Sequence, residues 1–236
     1  HMFRIKPVTD EIYHLYNRGV EKKNIFLDNK DRFRFIHDLF EFNDKNPSPN
    51  LAYHLTKKQP KEVGLPKIKR EPRIMLVDIL AFCLMPNHFH ILIKQKIENG
   101  TTEFMRKLGT GYTNYFNKKY QRVGSLFQGK YKFVHLKENS HFIHIPYYIH
   151  LNPLDLKFPE WKNREIKNHK GAMKFLESYR WSSYLDYIGI KNFPSVTQRE
   201  FLNNFFEGPE EYKKQTLNWL KEMDPEEIMD ITLKNK

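Results

Sequence analysis

Cysteine is nearly absent: Cys83 is the single one in 236 residues, and it sits inside an apolar run. A lone thiol cannot close a bridge within the chain, so no disulfide framework organises this fold. Glycine is sparse at ten residues, and none builds the glycine-rich loop that cradles a nucleotide's phosphates. The paired cysteines of a zinc ribbon and the Gly-x-Ser-x-Gly turn of a hydrolase nucleophile are missing as well. No apolar stretch reaches the ~20 residues that span a bilayer, and no signal peptide is recognisable. The expected compartment is therefore the cytoplasm, with no membrane partner. Acidic residues are in the minority, 28 against 40 Lys and Arg, for a net charge of +12. From Lys191 onward seven basic residues face nine acidic ones, which leaves +14 on the first 190 residues. A surplus of that size on a chain with 15% aromatic residues points to a polyanionic partner.

The longest apolar run, Ile79 to Lys94, carries His88 and His90 separated by Phe89. On a strand alternate side chains share a face, so the two imidazoles project together while Phe89, Ile91 and Ile93 point into a core. Two imidazoles about 6–7 Å apart along a rigid strand can grip one divalent cation. Met85-Pro86-Asn87 supplies turn chemistry before this strand and predicts a hairpin with a strand over Ile74–Leu84.

Glu11 to Asn17 reads as a first strand, with Tyr13 and Leu15 on one face and His14 and Tyr16 on the other. Asp31 to Phe42 reads as a helix with a Phe33, Ile36, Phe40 stripe and a cap at Asp28 or Asn29. Asp44 to Arg73, rich in Lys and Pro, reads as a basic insertion loop. Thr101 caps a helix to Tyr120 in which Gly109 and Gly111 are weak points. A turn at Ser125–Lys130 leads into a strand where Tyr131, Phe133 and His135 share a face. Ser140 to Leu151 reads as a helix kinked at Pro146, or begun nearer Tyr147, and ended by Asn152-Pro153. Tyr148 and Asn152, four apart, stack on one of its faces. Thr197 to Glu200 reads as a capping box, Gly208-Pro209 opens a helix through Met223, and Asp224 to Glu227 opens a last one.

This order of elements predicts an α+β fold, a ferredoxin-like antiparallel sheet with helices packed on one face. Residues 3–190 form the expected domain, with the 44–73 insertion, and 191–236 a helical C-terminal extension. His1 and Met2 read as additions ahead of the native start.

Met85-Pro86-Asn87-His88-Phe89-His90-Ile91-Leu92 resembles the histidine–apolar–histidine (HUH) signature of single-tyrosine transposases. Tyr148-Ile149-His150-Leu151-Asn152-Pro153 resembles that family's nucleophile helix. Tyr13–Gly19, Ser125–Tyr131 and Tyr179–Tyr184 resemble its opening strand, strand lead-in and post-helix segment. Chain length favours REP-associated tyrosine transposases and long members of the IS200-like superfamily.

The resemblance implies cleavage and joining of single-stranded DNA beside a hairpin, a palindromic repeat, without a nucleotide cofactor. Tyr148 would be the nucleophile, forming a 5′-phosphotyrosine. His88, His90 and Asn152 would hold Mg²⁺ or Mn²⁺. The DNA-facing set would comprise Arg18, Arg106, Lys107, Lys118, Lys119, Arg122, Gln128, Lys130 and Lys132. Tyr147 is the rival nucleophile, about 100° away around the helix. Asn152 has a rival role as a plain helix terminator, His150 reads as packing, and His144 as a residue bordering the site. Whether the protein works as a homodimer stays open. Two other readings compete: a non-catalytic DNA- or RNA-binding ferredoxin-like module, and a rolling-circle replication initiator using the same chemistry.

Overall fold

Two residues, Pro86 and Asn87, reverse the chain between β2 (Val77–Met85) and β3 (His88–Gln95). The computed structural model describes residues 6–47, 72–137 and 139–222. The expected first strand is present as β1 (Ile12–Arg18) and the expected fourth as β4 (Lys132–His135). All neighbours pair antiparallel in the order β2-β3-β1-β4. With α1 (Asn29–Glu41) after β1 and α2 (Gly100–Lys119) before β4, element order and strand order are those of the ferredoxin-like fold.

Alternation sorts the strand residues into two cores. Tyr13 and Leu15 of β1, Phe82 and Leu84 of β2, and Phe89, Ile91 and Ile93 of β3 pack against α1 and α2. Asp28 caps α1 in a reciprocal box with Asp31. The buried stripe of α1 is Phe35, Ile36 and Leu39, with Phe40 half-covered, and Phe33 does not belong to it. Phe33 is 43% exposed and its ring meets Trp181 edge-on at 5.1 Å. The phenylalanines at 33, 35 and 40 fit more than one helical stripe, and a residue about 150 positions downstream decides between them.

Thr101 does not cap α2. The helix starts at Gly100 after Asn99, whose φ of 58° turns the chain, and the backbone N–H of Thr101 donates to Gln95 Oε1 at 3.1 Å. The helix runs through Gly111 because a Cβ there would come within 2.3 Å of the Phe42 ring, so glycine lets these elements close up.

The second face of the sheet is covered too, where helices on one face were expected. Ala81, Cys83, Met85 and Leu92 meet Ile145, Ile149 and Leu151 of α3 (Asn139–Leu151). α3 is apolar on several sides, since Tyr147, Tyr148 and Ile149 are all buried. Such a helix lies between layers instead of on a surface. Its outer side is closed by α4 (His169–Ser178), α5 (Tyr184–Tyr187) and α7 (Pro209–Glu222). The C-terminal helices described here therefore share a core with the sheet. The capping box expected at Thr197–Glu200 does not form; α6 (Glu200–Asn203) follows Arg199, and Gln198 Oε1 instead accepts from Ile79 N–H at 2.7 Å. The outer edge of β2 is covered by the segment around Trp181, with Leu84 N–H donating to Trp181 O and Ser183 N–H to Phe82 O. Most of the 44–73 insertion and the helix expected from Asp224 lie outside the described residues.

Candidate active site

His88 and His90 lie on the face of β3 opposite Phe89, with ring centroids 5.1 Å apart and planes at 87°. Each ring is fixed through Nδ1. His88 Nδ1 lies 2.7 Å from Asn87 Oδ1, while Asn87 Nδ2 donates to Lys22 O at 3.0 Å. An amide oxygen only accepts, so His88 carries its proton on Nδ1 and a lone pair on Nε2. His90 Nδ1 lies 2.9 Å from Nε2 of His14, and the two rings stack at 5.0 Å. His90 Nε2 is buried and has no hydrogen-bond partner. An orphaned imidazole nitrogen facing a polar site suits a cation, with the opposite ring nitrogen donating to a neighbour.

Burial drives the His88 pKa down to about 4, with Asp155 pulling it back up and Lys162 and Arg18 lowering it further. His90 falls well below the usual imidazole value, through burial first and then His14, His88 and Lys162. Both rings are neutral near pH 7, the form in which imidazole binds metals. Among the described residues no group of three or more His, Cys, Asp and Glu side chains is arranged to hold a metal ion together. Two neutral imidazoles are what this face offers to a cation, and a donor set that small would leave room for substrate oxygens and water on a hard ion.

α3 brings a phenol to this pair. The Tyr148 ring stands edge-on to His90 at 5.7 Å and to His14 at 6.1 Å, and the residue is 3% exposed. The helix begins at Asn139 and passes through Pro146, so the later start near Tyr147 does not occur. Tyr147 points the other way, stacked on Tyr212 at 4.9 Å and on Trp219 at 6.2 Å. Burial raises its pKa above the ordinary phenol range. Asn152 is buried, and its Nδ2 donates to the Tyr148 carbonyl at 2.7 Å where α3 gives way to a 3-10 helix (Asn152–Leu156).

Three further histidines, His150, His144 and His135, are engaged away from this pair. His150 is held between Tyr212 Oη at 2.6 Å and Ser183 Oγ at 2.8 Å. His144 does not border the site; its Nδ1 accepts from Trp219 Nε1 at 3.0 Å. His135 stacks on Tyr13 at 4.9 Å and lies 2.8 Å from Glu11.

The cations proposed to face DNA divide into groups. Arg18 pairs across the sheet with His88, Lys132 sits on the same face opposite Tyr16, and Arg18 Nε donates to Gln128 Oε1 at 2.6 Å. Arg106 and Lys130 meet in a groove on the other side of the sheet. Lys118 is exposed near the end of α2. The remaining three are spent on structure. Lys119 bridges Asp28 and Asp31, Lys107 binds the carbonyls of Asp44, Lys45 and Asn46, and Arg122 donates to Asn117 Oδ1.

Sequence reasoning missed four residues here. His14 becomes a partner of His90 only through the β1–β3 register. Asp155 accepts from Trp161 Nε1 and from Lys162 Nζ, each at 2.6 Å, and the Trp161 ring lies 6.3 Å from that of Tyr148. These three stand in a polar stretch without periodicity, where no spacing signals a shared site.

A sheet-borne imidazole pair facing a phenol on the next layer is the geometry that the resemblance implies. Residues 55–152, which hold both histidines, Tyr148 and Asn152, match the family model described as IS200-like transposase. The resemblance read from the sequence is borne out over that segment. β1 with His14 and the segment of Asp155 to Lys162 lie outside it. No curated protein matches the chain. A solved REP-associated tyrosine transposase bound to a REP hairpin is 10% identical, with a TM-score of 0.49 over 82% of this chain and 89% of that one.

Proposed function

We propose that this protein is a metal-dependent single-stranded DNA transesterase, a transposase-type enzyme acting beside a DNA hairpin. The observation that carries the reading is Tyr148 set edge-on against His90, whose Nε2 is buried without a partner. His88 Nε2, His90 Nε2 and Asn152 Oδ1 would hold Mg²⁺ or Mn²⁺. When bound, the cation polarises the scissile phosphate and offsets charge that develops on its oxygens.

Tyr148 Oη forms a bond to phosphorus as the bond to the 3′ oxygen breaks. A 5′-phosphotyrosine and a free 3′-hydroxyl result. The covalent link conserves the phosphodiester's bond energy, so a 3′-hydroxyl can attack it and rejoin a strand. The phenol gives up its proton to solvent in this step and the departing 3′ oxygen takes one up, so the exchange is balanced. Arg18 and Lys162, whose charges both act on His88, bring positive charge to the approaching strand.

Incubation with Mn²⁺ and hairpin-bearing single-stranded DNA should yield a covalent adduct that survives denaturing electrophoresis. Tyr148→Phe should abolish it. An adduct that persists in that variant rules out Tyr148 as nucleophile. A wild-type chain that yields none across a panel of hairpins rules out the transesterase reading.

A further inference from the structure

A groove of about 830 Å³ opens on the side of the sheet away from the histidines, between α2 and the segment leading into β4. Phe89, which alternates with His88 and His90 on β3, lies at its floor beside Phe127, and the two rings meet at 5.9 Å. Tyr131 flanks it, and Arg106 and Lys130 stand exposed on its rim.

Gly109 forms part of the α2 wall. A glycine inside a helix is unfavourable relative to alanine, because it loses more backbone freedom on folding. Gly111, two residues on, has an internal reason, the Phe42 ring that a Cβ would strike. Gly109 has none: a Cβ there would meet nothing within 4 Å. No contact within the described molecule needs the missing side chain, and the opening it leaves faces the groove.

We infer that this groove is a second nucleic-acid site, in which an unpaired base of single-stranded DNA lies against the bare backbone at Gly109. Phe127 and Tyr131 offer rings for stacking, which every base accepts and which tolerates sequence. Arg106 and Lys130 meet the phosphates on either side of that base. The volume lies within the range of small-ligand pockets, roughly 300–1,000 Å³, enough for a nucleotide. Because Phe89 and the histidines belong to one strand, the groove and the candidate active site are back to back. A strand held here is anchored while another part of the same DNA reaches Tyr148. The choice of DNA over RNA rests on the transesterase reading; the base-and-phosphate site stands on the groove alone.

Fluorescein-labelled dT12, read by anisotropy, tests the site. Gly109→Leu should bind dT12 at least tenfold more weakly than wild type, and its Tm should not fall, since leucine favours helix and the space is open. Arg106→Ala combined with Lys130→Ala should weaken binding and flatten its dependence on salt. Photocrosslinking of 5-iodouracil-substituted dT12 should label Phe127 or Tyr131, identified by mass spectrometry. Affinity of Gly109→Leu within twofold of wild type, or crosslinks confined to the histidine face, overturns the inference. A Gly109→Leu chain that fails to fold also overturns it, because the space would not be open. Adduct formation at Tyr148 is scored separately on hairpin DNA. An adduct with unchanged dT12 affinity in Gly109→Leu removes the groove and leaves the function standing. Lost dT12 affinity without any wild-type adduct does the reverse.

Discussion

His14 and His90 share a single ring hydrogen across 2.9 Å. With a cation on His90 Nε2, the proton must sit on His90 Nδ1, and His14 Nε2 must accept it. His14 thereby fixes both the tautomer and the tilt of the proposed ligand. His14→Phe keeps a ring in place and removes the acceptor, leaving a buried N–H without a partner. Mn²⁺ affinity, measured by calorimetry, is expected to fall about 10–100-fold; an unchanged affinity would show that His14 only packs.

Asp38 offers an independent test in the first core. Its carboxyl is buried beside Arg34, and burial raises its pKa to about 6, against the downward pull of Arg34 and then His37. The unfolded value is the ordinary 3.8. A folded pKa above the unfolded one stabilises the fold fully below pH 3.8, and that contribution is lost as pH rises through about 6. The change is on the order of 2–3 kcal/mol at most. Wild-type Tm should therefore drop between about pH 4 and pH 6.5 relative to Asp38→Asn and level off above that, followed by circular dichroism. Neither role could be read from sequence. Strand alternation put His14 and His90 on predictable faces, but not opposite one another, and an acid on an amphipathic helix gives no sign that it is buried.

α3 carries the proposed nucleophile and is gripped from behind. Tyr147 stacks on Tyr212 and Trp219, His150 is bonded to Tyr212, and Trp219 donates to His144. Trp219→Ala removes two of these contacts and opens a cavity, at an expected cost of about 3–5 kcal/mol. Chemical denaturation should report that loss, and the Tyr148 adduct rate should fall with it, because the phenol loses its backing. The two glycines of α2 provide the opposite contrast. Gly109→Ala should stabilise the chain by up to about 1 kcal/mol. Gly111→Ala should destabilise it by about 1–3 kcal/mol, because Phe42 must move. Equal effects at the two positions would contradict the packing described for α2. The His-x-His hairpin was readable in the sequence because period-two alternation and Pro-Asn turn chemistry are local signals. The placement of α3 was not, since a helix apolar on several sides fits either face of a sheet until its covering partners are known.

The molecule as a whole is a sheet between two helical layers, with the basic surplus on the first 190 residues. A polyanion-binding surface of this kind loses affinity steeply with salt. Binding of hairpin-bearing single-stranded DNA should weaken at least tenfold between about 50 and 200 mM NaCl, measured by anisotropy. A flat response would mean that the charge serves something other than phosphate contacts. The α+β class and the ferredoxin-like order of elements followed from the sequence, because the succession of strand and helix patterns in the core is unbroken. The covering of the second face did not, because the apolar stripes of α4 and α7 show that each helix buries one side without showing which layer buries it.

The central position of β1 bears on how the protein is made. Its partners in β3 lie far along the chain, and the His14–His90 contact spans 76 residues. Local hairpin closure is fast, whereas long-range pairing waits for loop entropy to be overcome. The β2–β3 hairpin can thus fold before β1 is locked beside it. The tyrosine is secured only once the helix bearing Tyr212 and Trp219 packs behind α3. The imidazole pair thus rests on strand pairing alone, whereas the placement of Tyr148 waits on packing against a helix much further along the chain.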